Sequence, residues 1–248
     1  MRKRQPPSSS QYACAILPPA MDTILAIATN DATVLKDHKT GLWLSELTHV
    51  LDVVLAAGYA YDIASPRGGR IPLDEGSTKG AAAKDPVNAR FMDDRECLAK
   101  LENSLPCAAV DPSAYVAIFL SGGHGTMFDF RQSPALQKLL TTFYSSKRPI
   151  AAVCHGVSGL LDAVDAGGAS IVKGKVVTGF SNVEDTLAGV KSLMPFLLED
   201  ALKEQGANYK KNLVPFTERV ETDGLLITGQ NPQSAHGVGM KLVEALLK

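Results

Sequence analysis

Apolar residues run unbroken over residues 23–29 (Thr-Ile-Leu-Ala-Ile-Ala-Thr) and stop at Asn30-Asp31. A short continuous run bounded by turn residues reads as a strand buried on both faces, as in a parallel sheet. The pattern then changes period. Trp43, Leu44, Leu47, Val50, Leu51, Val54 and Leu55 recur at helical spacing, and Gly58 follows as a C-terminal stop. Residues 59–64 return to a strand pattern. Strand, helix and strand in this order predict a parallel sheet covered by helices.

Two further strands are predicted over residues 115–120 and 149–153. The first runs into Ser-Gly-Gly-His-Gly and the second into Cys154-His155-Gly156. Helices are expected over residues 136–144, 155–164 and 195–205, the last with Pro195 in its first turn and Gly206 behind it. Residues 170–178, with Gly174 between two β-branched runs, predict a hairpin. A short strand over residues 225–228 precedes Asn231-Pro232, which should cap a final helix. Residues 66–94 are rich in Gly, Pro, Lys and Asp and read as a long functional loop or lid. The fold class predicted is α/β: a doubly wound, mostly parallel sheet with helices on both faces, flavodoxin-like.

Composition narrows the partners. The chain has 248 residues, 45% hydrophobic and 21% charged, enough to bury a full core without a metal or disulfide staple. Its formal net charge of −1 supplies no global field for nucleic acid or an anionic membrane. No apolar run reaches the roughly 18 residues of a membrane span. The four cysteines, Cys14, Cys97, Cys107 and Cys154, form no CxxC pair, which points to free thiols in a reducing compartment, the cytoplasm. Residues 1–21 differ from the rest. They carry Arg2, Lys3 and Arg4, no acidic residue, then Pro and Ser. They read as a disordered extension, with a weak organellar presequence as the alternative. Residues 22–248 are expected to form a single domain.

In a sheet of this kind ligands bind at the carboxyl ends of strands, where Gly122-Gly123-His124-Gly125 and Cys154-His155-Gly156 fall. A cysteine with a helix starting behind it sits where free N–H groups and the helix dipole stabilise a thiolate. Gly156 permits a tight turn, so the pattern is that of a nucleophile elbow with Cys in place of Ser. A buried inert cysteine is the competing reading. Gly122 and Gly123, with the N–H of His155, are candidates for an oxyanion hole, a simple turn being the competing reading. No GxxxxGK[ST] pattern supports a phosphate cradle. Glu46 lies at the margin of the first helix's apolar face. Beside a buried thiol its carboxyl could stay protonated and donate to the sulfur.

Five segments in order resemble the DJ-1/PfpI superfamily, best its heat-shock-protein-31-like, glutathione-independent glyoxalase branch. They are Thr-Gly-Leu-Trp-Leu-Ser-Glu-Leu (40–47), Ser-Gly-Gly-His-Gly-Thr-Met-Phe-Asp (121–129), Ala-Val-Cys-His-Gly (152–156), Thr-Gly-Phe-Ser-Asn (178–182) and Thr-Gly-Gln-Asn-Pro-Gln-Ser (228–234). The resemblance runs from about residue 22 to the end and implies a class I glutamine-amidotransferase-like fold. It implies Cys154 as nucleophile, His155 as general acid/base, Glu46 as the acid at the sulfur, and Gly123 as the oxyanion-hole glycine. It implies a third, acidic member after the Thr-Gly-Phe motif: Asp185 by ungapped counting, with Glu184 as competitor. His124 belongs near the pocket, whereas His38, His49 and His236 read as surface or packing residues, and Cys97 and Cys107 as structural ones. Some relatives carry zinc, but no HExxH or clustered ligand spacing marks a site here, so no metal is expected.

The activity implied is conversion of methylglyoxal to D-lactate, or glyoxal to glycolate, through a Cys154 hemithioacetal, with no glutathione or other cofactor. The partner is then a small 2-oxoaldehyde, with no nucleic acid and no membrane, and the resemblance implies a homodimer. Deglycation of early glyoxal adducts on proteins or nucleotides is the second enzymatic reading. A holding chaperone, or a redox sensor in which Cys154 oxidises to a sulfinic acid, is the non-enzymatic one.

Overall fold

The computed structural model describes residues 21–36, 38–80 and 82–248. The extension expected over residues 1–21 lies outside them but for Met21, and with it any reading of Cys14. The chain opens with β1 (Thr23–Ile27), followed by a two-residue hairpin, Val34–Leu35 against His38–Lys39. Next come α1 (Leu44–Ala56), β2 (Ala60–Ser65), α2 (Pro86–Asp93), α3 (Arg95–Glu102) and β3 (Leu105–Pro106). The second half holds β4 (Ala117–Leu120), α4 (Pro134–Ser145), β5 (Ile150–Val153), α5 (Asn182–Leu187), α6 (Leu198–Glu204), β6 (Val220–Asp223), β7 (Leu226–Gly229) and α7 (Ala235–Leu246).

The sheet has seven strands in the order β6-β7-β5-β4-β1-β2-β3. Every pairing is parallel except the edge hairpin β6–β7. Register places Ile27 of β1 beside Leu120 of β4, and Leu120 beside Ala152 of β5. The strand ends therefore align, and the segments that follow β4 and β5 leave the sheet side by side. Strands β4, β5 and β7 are buried along their whole length, as continuous apolar runs demand when helices cover both faces. On α1, Leu47, Val50 and Val54 are fully buried, a stripe at helical spacing that packs against α7 and the sheet. Each such side chain contributes about 1.5–3 kcal/mol of burial.

Three local expectations are corrected. Residues 66–94 are not an open loop. They fold into the 3-10 turns Glu75–Thr78 and Ala82–Lys84 and the helix α2. The overlooked signal was Asp85-Pro86: the Asp85 carboxylate accepts from the N–H groups of Val87 (2.9 Å) and Asn88 (3.0 Å), and Pro86 occupies the first helical position. The hairpin expected at residues 170–178 is absent. Val176–Val177 instead pairs in parallel with Asn208–Tyr209, so a non-local ladder replaces the local one. Asn231 does not cap its helix through a backbone N–H. Its amide donates to Glu184 Oε1 (2.9 Å) and the Thr217 carbonyl (2.8 Å), and its oxygen accepts from the Ser234 hydroxyl (3.0 Å).

Candidate active site

Cys154 is the first residue after β5, and its φ of +57° is in the left-handed region. A non-glycine residue there costs on the order of 1–2 kcal/mol, which the packed turn must offset. The helix behind it is shorter and tighter than expected, a 3-10 helix over Cys154–Leu160 in place of an α-helix over residues 155–164. Burial works against the pull that the start of such a helix exerts on the sulfur. Burial pushes the Cys154 thiol well above the usual cysteine range, and nearby Glu46 adds to this. The N–H of His155, pointing at the sulfur, opposes it and is overcome. A thiol so resisted in its ionisation needs a base close by.

That base is at hand. His155 Nδ1 lies 3.4 Å from Cys154 Sγ, and His155 Nε2 lies 3.1 Å from Asp185 Oδ1. With Nε2–H donating to the carboxylate, the Nδ1 lone pair faces the sulfur. His155 and Asp185 are both fully buried. The His155 ring sits between two others, with centroids 4.5 Å from His124 and 4.5 Å from Phe180.

The two acids named for this position part company. Glu184 is fully buried but spent on structure. Its Oε2 accepts from the N–H (2.9 Å) and hydroxyl (2.8 Å) of Ser181, closing a capping box at the start of α5. Its Oε1 accepts from the N–H of Phe216 (2.9 Å) and from Asn231. Phe216 has φ +56° and lines the pocket, so Glu184 holds a wall residue in place while Asp185 faces the histidine.

Glu46 lies in the first turn of α1, where an exposed carboxylate would be favoured by the helix dipole. Burial decides otherwise: the side chain is fully buried and its pKa is pushed well above the carboxylate range. Neither carboxyl oxygen makes a hydrogen bond in this geometry; after burial, the groups bearing on its ionisation are the Cys154 thiol, which lowers it, the Asp74 carboxylate, which raises it, and the Gly122 N–H, which lowers it. A neutral carboxyl here has one O–H to donate, and the sulfur is the site that needs it once deprotonated.

Gly122 and Gly123 are required by space. A Cβ on Gly122 would collide with the Glu46 carboxyl and lie 2.9 Å from Cys154 Cβ. Gly123 has φ +104°, and its Cβ would meet the backbone at Gly41 and lie 2.6 Å from Trp43 N. Both glycines thus let the β4 turn and the start of α1 close on the sulfur. The resulting cavity, of about 310 Å³, is lined by Cys154, His155, His124, Glu46, Gly123 and Ser45, with Trp43, Phe180 and Phe216 as its aromatic walls.

The structure also gathers residues that sequence did not place together. His124, half-buried, brings Nε2 to 3.8 Å from Asp185 Oδ1. Each of His124, His155 and Asp185 offers a metal-competent atom, all within 4.8 Å of one another. Phe180 and Phe216 were not singled out as site residues, although Phe180 stands inside the Thr-Gly-Phe-Ser-Asn segment. His49, by contrast, pairs with Asp85 (2.9 Å) outside the pocket, and His236 is exposed. Cys97 sits 3.0 Å from the Tyr61 hydroxyl, and Cys107 is in the core.

Known proteins resemble this chain in sequence and fold. The model of the DJ-1/PfpI family matches residues 39–245. The chain is 33% identical over 239 residues to the glutathione-independent glyoxalase HSP31 of Saccharomyces cerevisiae, covering 90% of this chain and 97% of that one. It is similar to the crystal structure of glyoxalase III from Candida albicans, with TM-score 0.84 and 29% identity, over 91% of this chain and 97% of that one. It is similar also to the Rapid Encystment Protein 24 KDa of Francisella tularensis, with TM-score 0.87 and 36% identity, over 92% of this chain and all of that one.

Proposed function

The chain belongs to the DJ-1/PfpI family, and from that premise we propose that it is a glutathione-independent glyoxalase that converts methylglyoxal to D-lactate and glyoxal to glycolate. The observation that carries the reading is the Cys154 thiol 3.4 Å from His155 Nδ1 at the floor of a small cavity. His155 takes the thiol proton, and Asp185 steadies the imidazolium. The thiolate adds to the aldehyde carbon, forming one C–S bond and an alkoxide that takes up a proton to give the hemithioacetal. Gly123 and the N–H of His155 line the place where that oxyanion forms.

His155 then removes the proton from the former aldehyde carbon and the neighbouring carbonyl oxygen is protonated, giving an enediol. Return of a proton to the second carbon, with loss of the hydroxyl proton on the first, gives a thioester of lactate on Cys154. Water cleaves the C–S bond, releasing D-lactate and the thiol. No electrons leave or enter the sequence overall, so no redox cofactor is needed. While the sulfur is a thiolate, the Glu46 carboxyl adds a hydrogen bond to that of the His155 N–H.

The same reading includes a homodimer in the cytoplasm. No helix among the described residues is long and apolar enough to cross a membrane. Leu213 and Val214 stand exposed beside the pocket wall residue Phe216, an apolar surface of the sort a second copy covers. Analytical ultracentrifugation tests the dimer. Incubating pure protein with methylglyoxal in thiol-free buffer tests the activity. D-lactate is expected, and its absence overturns the assignment.

A further inference from the structure

We propose that His124, His155 and Asp185 bind one divalent transition-metal ion of the zinc class, and that this ion switches the enzyme off. The donor set is a good one: two imidazoles and a carboxylate suit zinc, which takes nitrogen and oxygen ligands at about 2.0–2.2 Å in a tetrahedron. Ligand atoms on such a tetrahedron stand about 3.3 Å apart. The observed separations are 3.1 Å for His155 Nε2 to Asp185 Oδ1 and 3.8 Å for His124 Nε2 to the same oxygen. All three donors already fall within 4.8 Å of one another, so a small swing of the His124 ring closes the site. His124 sits between Gly123 and Gly125 in the turn after β4.

Asp185 adds a second observation. Its other oxygen, Oδ2, is buried with no hydrogen-bond partner, on a side chain with no exposure at all. A buried carboxylate oxygen left unpaired is costly, and a cation on this carboxylate offsets that cost, while Oδ1 is the oxygen that both imidazoles face. His124 and His155 both line the cavity, so an ion can enter and its fourth position can hold water.

The inhibition follows from the ring geometry. A neutral imidazole that binds metal through Nε2 carries its proton on Nδ1. His155 Nδ1 is the atom that faces Cys154 Sγ at 3.4 Å. With the ion on Nε2, that nitrogen becomes a donor and can no longer accept the thiol proton. The inhibitory half of the inference rests on the glyoxalase reading, while the binding half does not.

Untagged, metal-stripped full-length chain is titrated with zinc chloride by calorimetry, and separately with cobalt(II) followed by absorption. One ion per chain is expected, with tetrahedral cobalt bands and no thiolate-to-cobalt charge-transfer band. His124→Ala and, as a second variant, His124→Gln should weaken binding by about 10-fold or more. Cys154→Ala and His49→Ala should bind as the unaltered chain does. Lactate formation by the metal-free enzyme should fall by about 10-fold or more at one equivalent of zinc. No stoichiometric binding, unchanged affinity in both folded His124 variants, or loss of binding in Cys154→Ala overturns the site. Binding without loss of lactate formation overturns the inhibition. A metal-free enzyme that makes no lactate refutes the glyoxalase reading instead.

Discussion

Cys107 and Cys154 each open a 3-10 helix directly after a parallel strand of the same sheet. Both are buried, at 2% and 4% exposure. In both, burial pushes the thiol upward, to about 12 for Cys107, and a nearby carboxyl adds to it, Asp129 for the first and Glu46 for the second. By burial and charge the two turns are alike. They differ in what else the fold brings. Cys107 follows the edge strand β3 and faces the core, with no positive φ. Cys154 follows the inner strand β5 at φ +57°, with an imidazole at 3.4 Å and a cavity above it. A strand end and a buried thiol are therefore insufficient for a nucleophile. The decisive additions are a base with its own carboxylate and room for a substrate.

The comparison breaks most sharply at the sulfurs. Cys154→Ala should lower thiol-independent D-lactate formation by at least about 1,000-fold. Cys107→Ala should leave the rate within about twofold and cost about 1 kcal/mol of stability for the lost packing. Comparable rates in the two variants, measured by a lactate assay, would dissolve the distinction.

The next largest effect concerns the carboxyl beside Cys107. Burial outweighs the hydrogen bonds from Asn30 N–H (2.7 Å) and the Thr29 hydroxyl (2.9 Å) and pushes Asp129 up to about 6. Its unfolded value is near 3.8, so between these pH values the folded state holds a proton that the unfolded state has lost. The contribution of Asp129 to stability then falls as pH rises through that window, by about 3 kcal/mol, and is level above it. Urea unfolding of the parent chain and Asp129→Asn from pH 4 to 7 checks this: the fall should be smaller in the second by about 3 kcal/mol, the part that Asp129 contributes.

At the other turn, Asp185→Asn should lower kcat by about 100-fold, because the amide no longer holds the His155 tautomer with Nδ1 free. Circular dichroism should show the fold intact. A rate within twofold of the parent would mean that His155 works without an acid. The smallest change is Glu184→Gln. It weakens the capping box and the hold on Phe216, which should cost about 1–2 kcal/mol in thermal unfolding and raise KM more than it lowers kcat. A large fall in kcat with KM unchanged would instead place Glu184 in the proton-transfer step.

Much of this was legible in the chain as written. Periodicity alone marked β1, α1 and β2, because burial on both faces leaves a continuous apolar run and burial on one face of a helix leaves a stripe. Glycines at residues 122 and 123 marked a close approach, since no other residue fits there. The segments around Glu46, Gly123 and Cys154 carried the family resemblance. The misreadings had local signals that non-local partners overrode. Gly174 suggested a hairpin, but Val176–Val177 found Asn208–Tyr209. Asn231 suggested a cap, but the buried Glu184 carboxylate claimed its amide.

What only the tertiary structure decided is which of two adjacent acids faces the histidine, and what surrounds the sulfur. Glu184 and Asp185 are neighbours in a helix and point about 100° apart, so counting along the chain leaves both open. Packing of α5 against the turns at Ser181, Phe216 and Asn231 consumes the first and aims the second at His155. Likewise a cysteine before a helix suggests a stabilised thiolate, yet full burial beside Glu46 pushes the thiol upward. Desolvation depends on everything that surrounds a group, and the chain's order along one dimension does not record its surroundings.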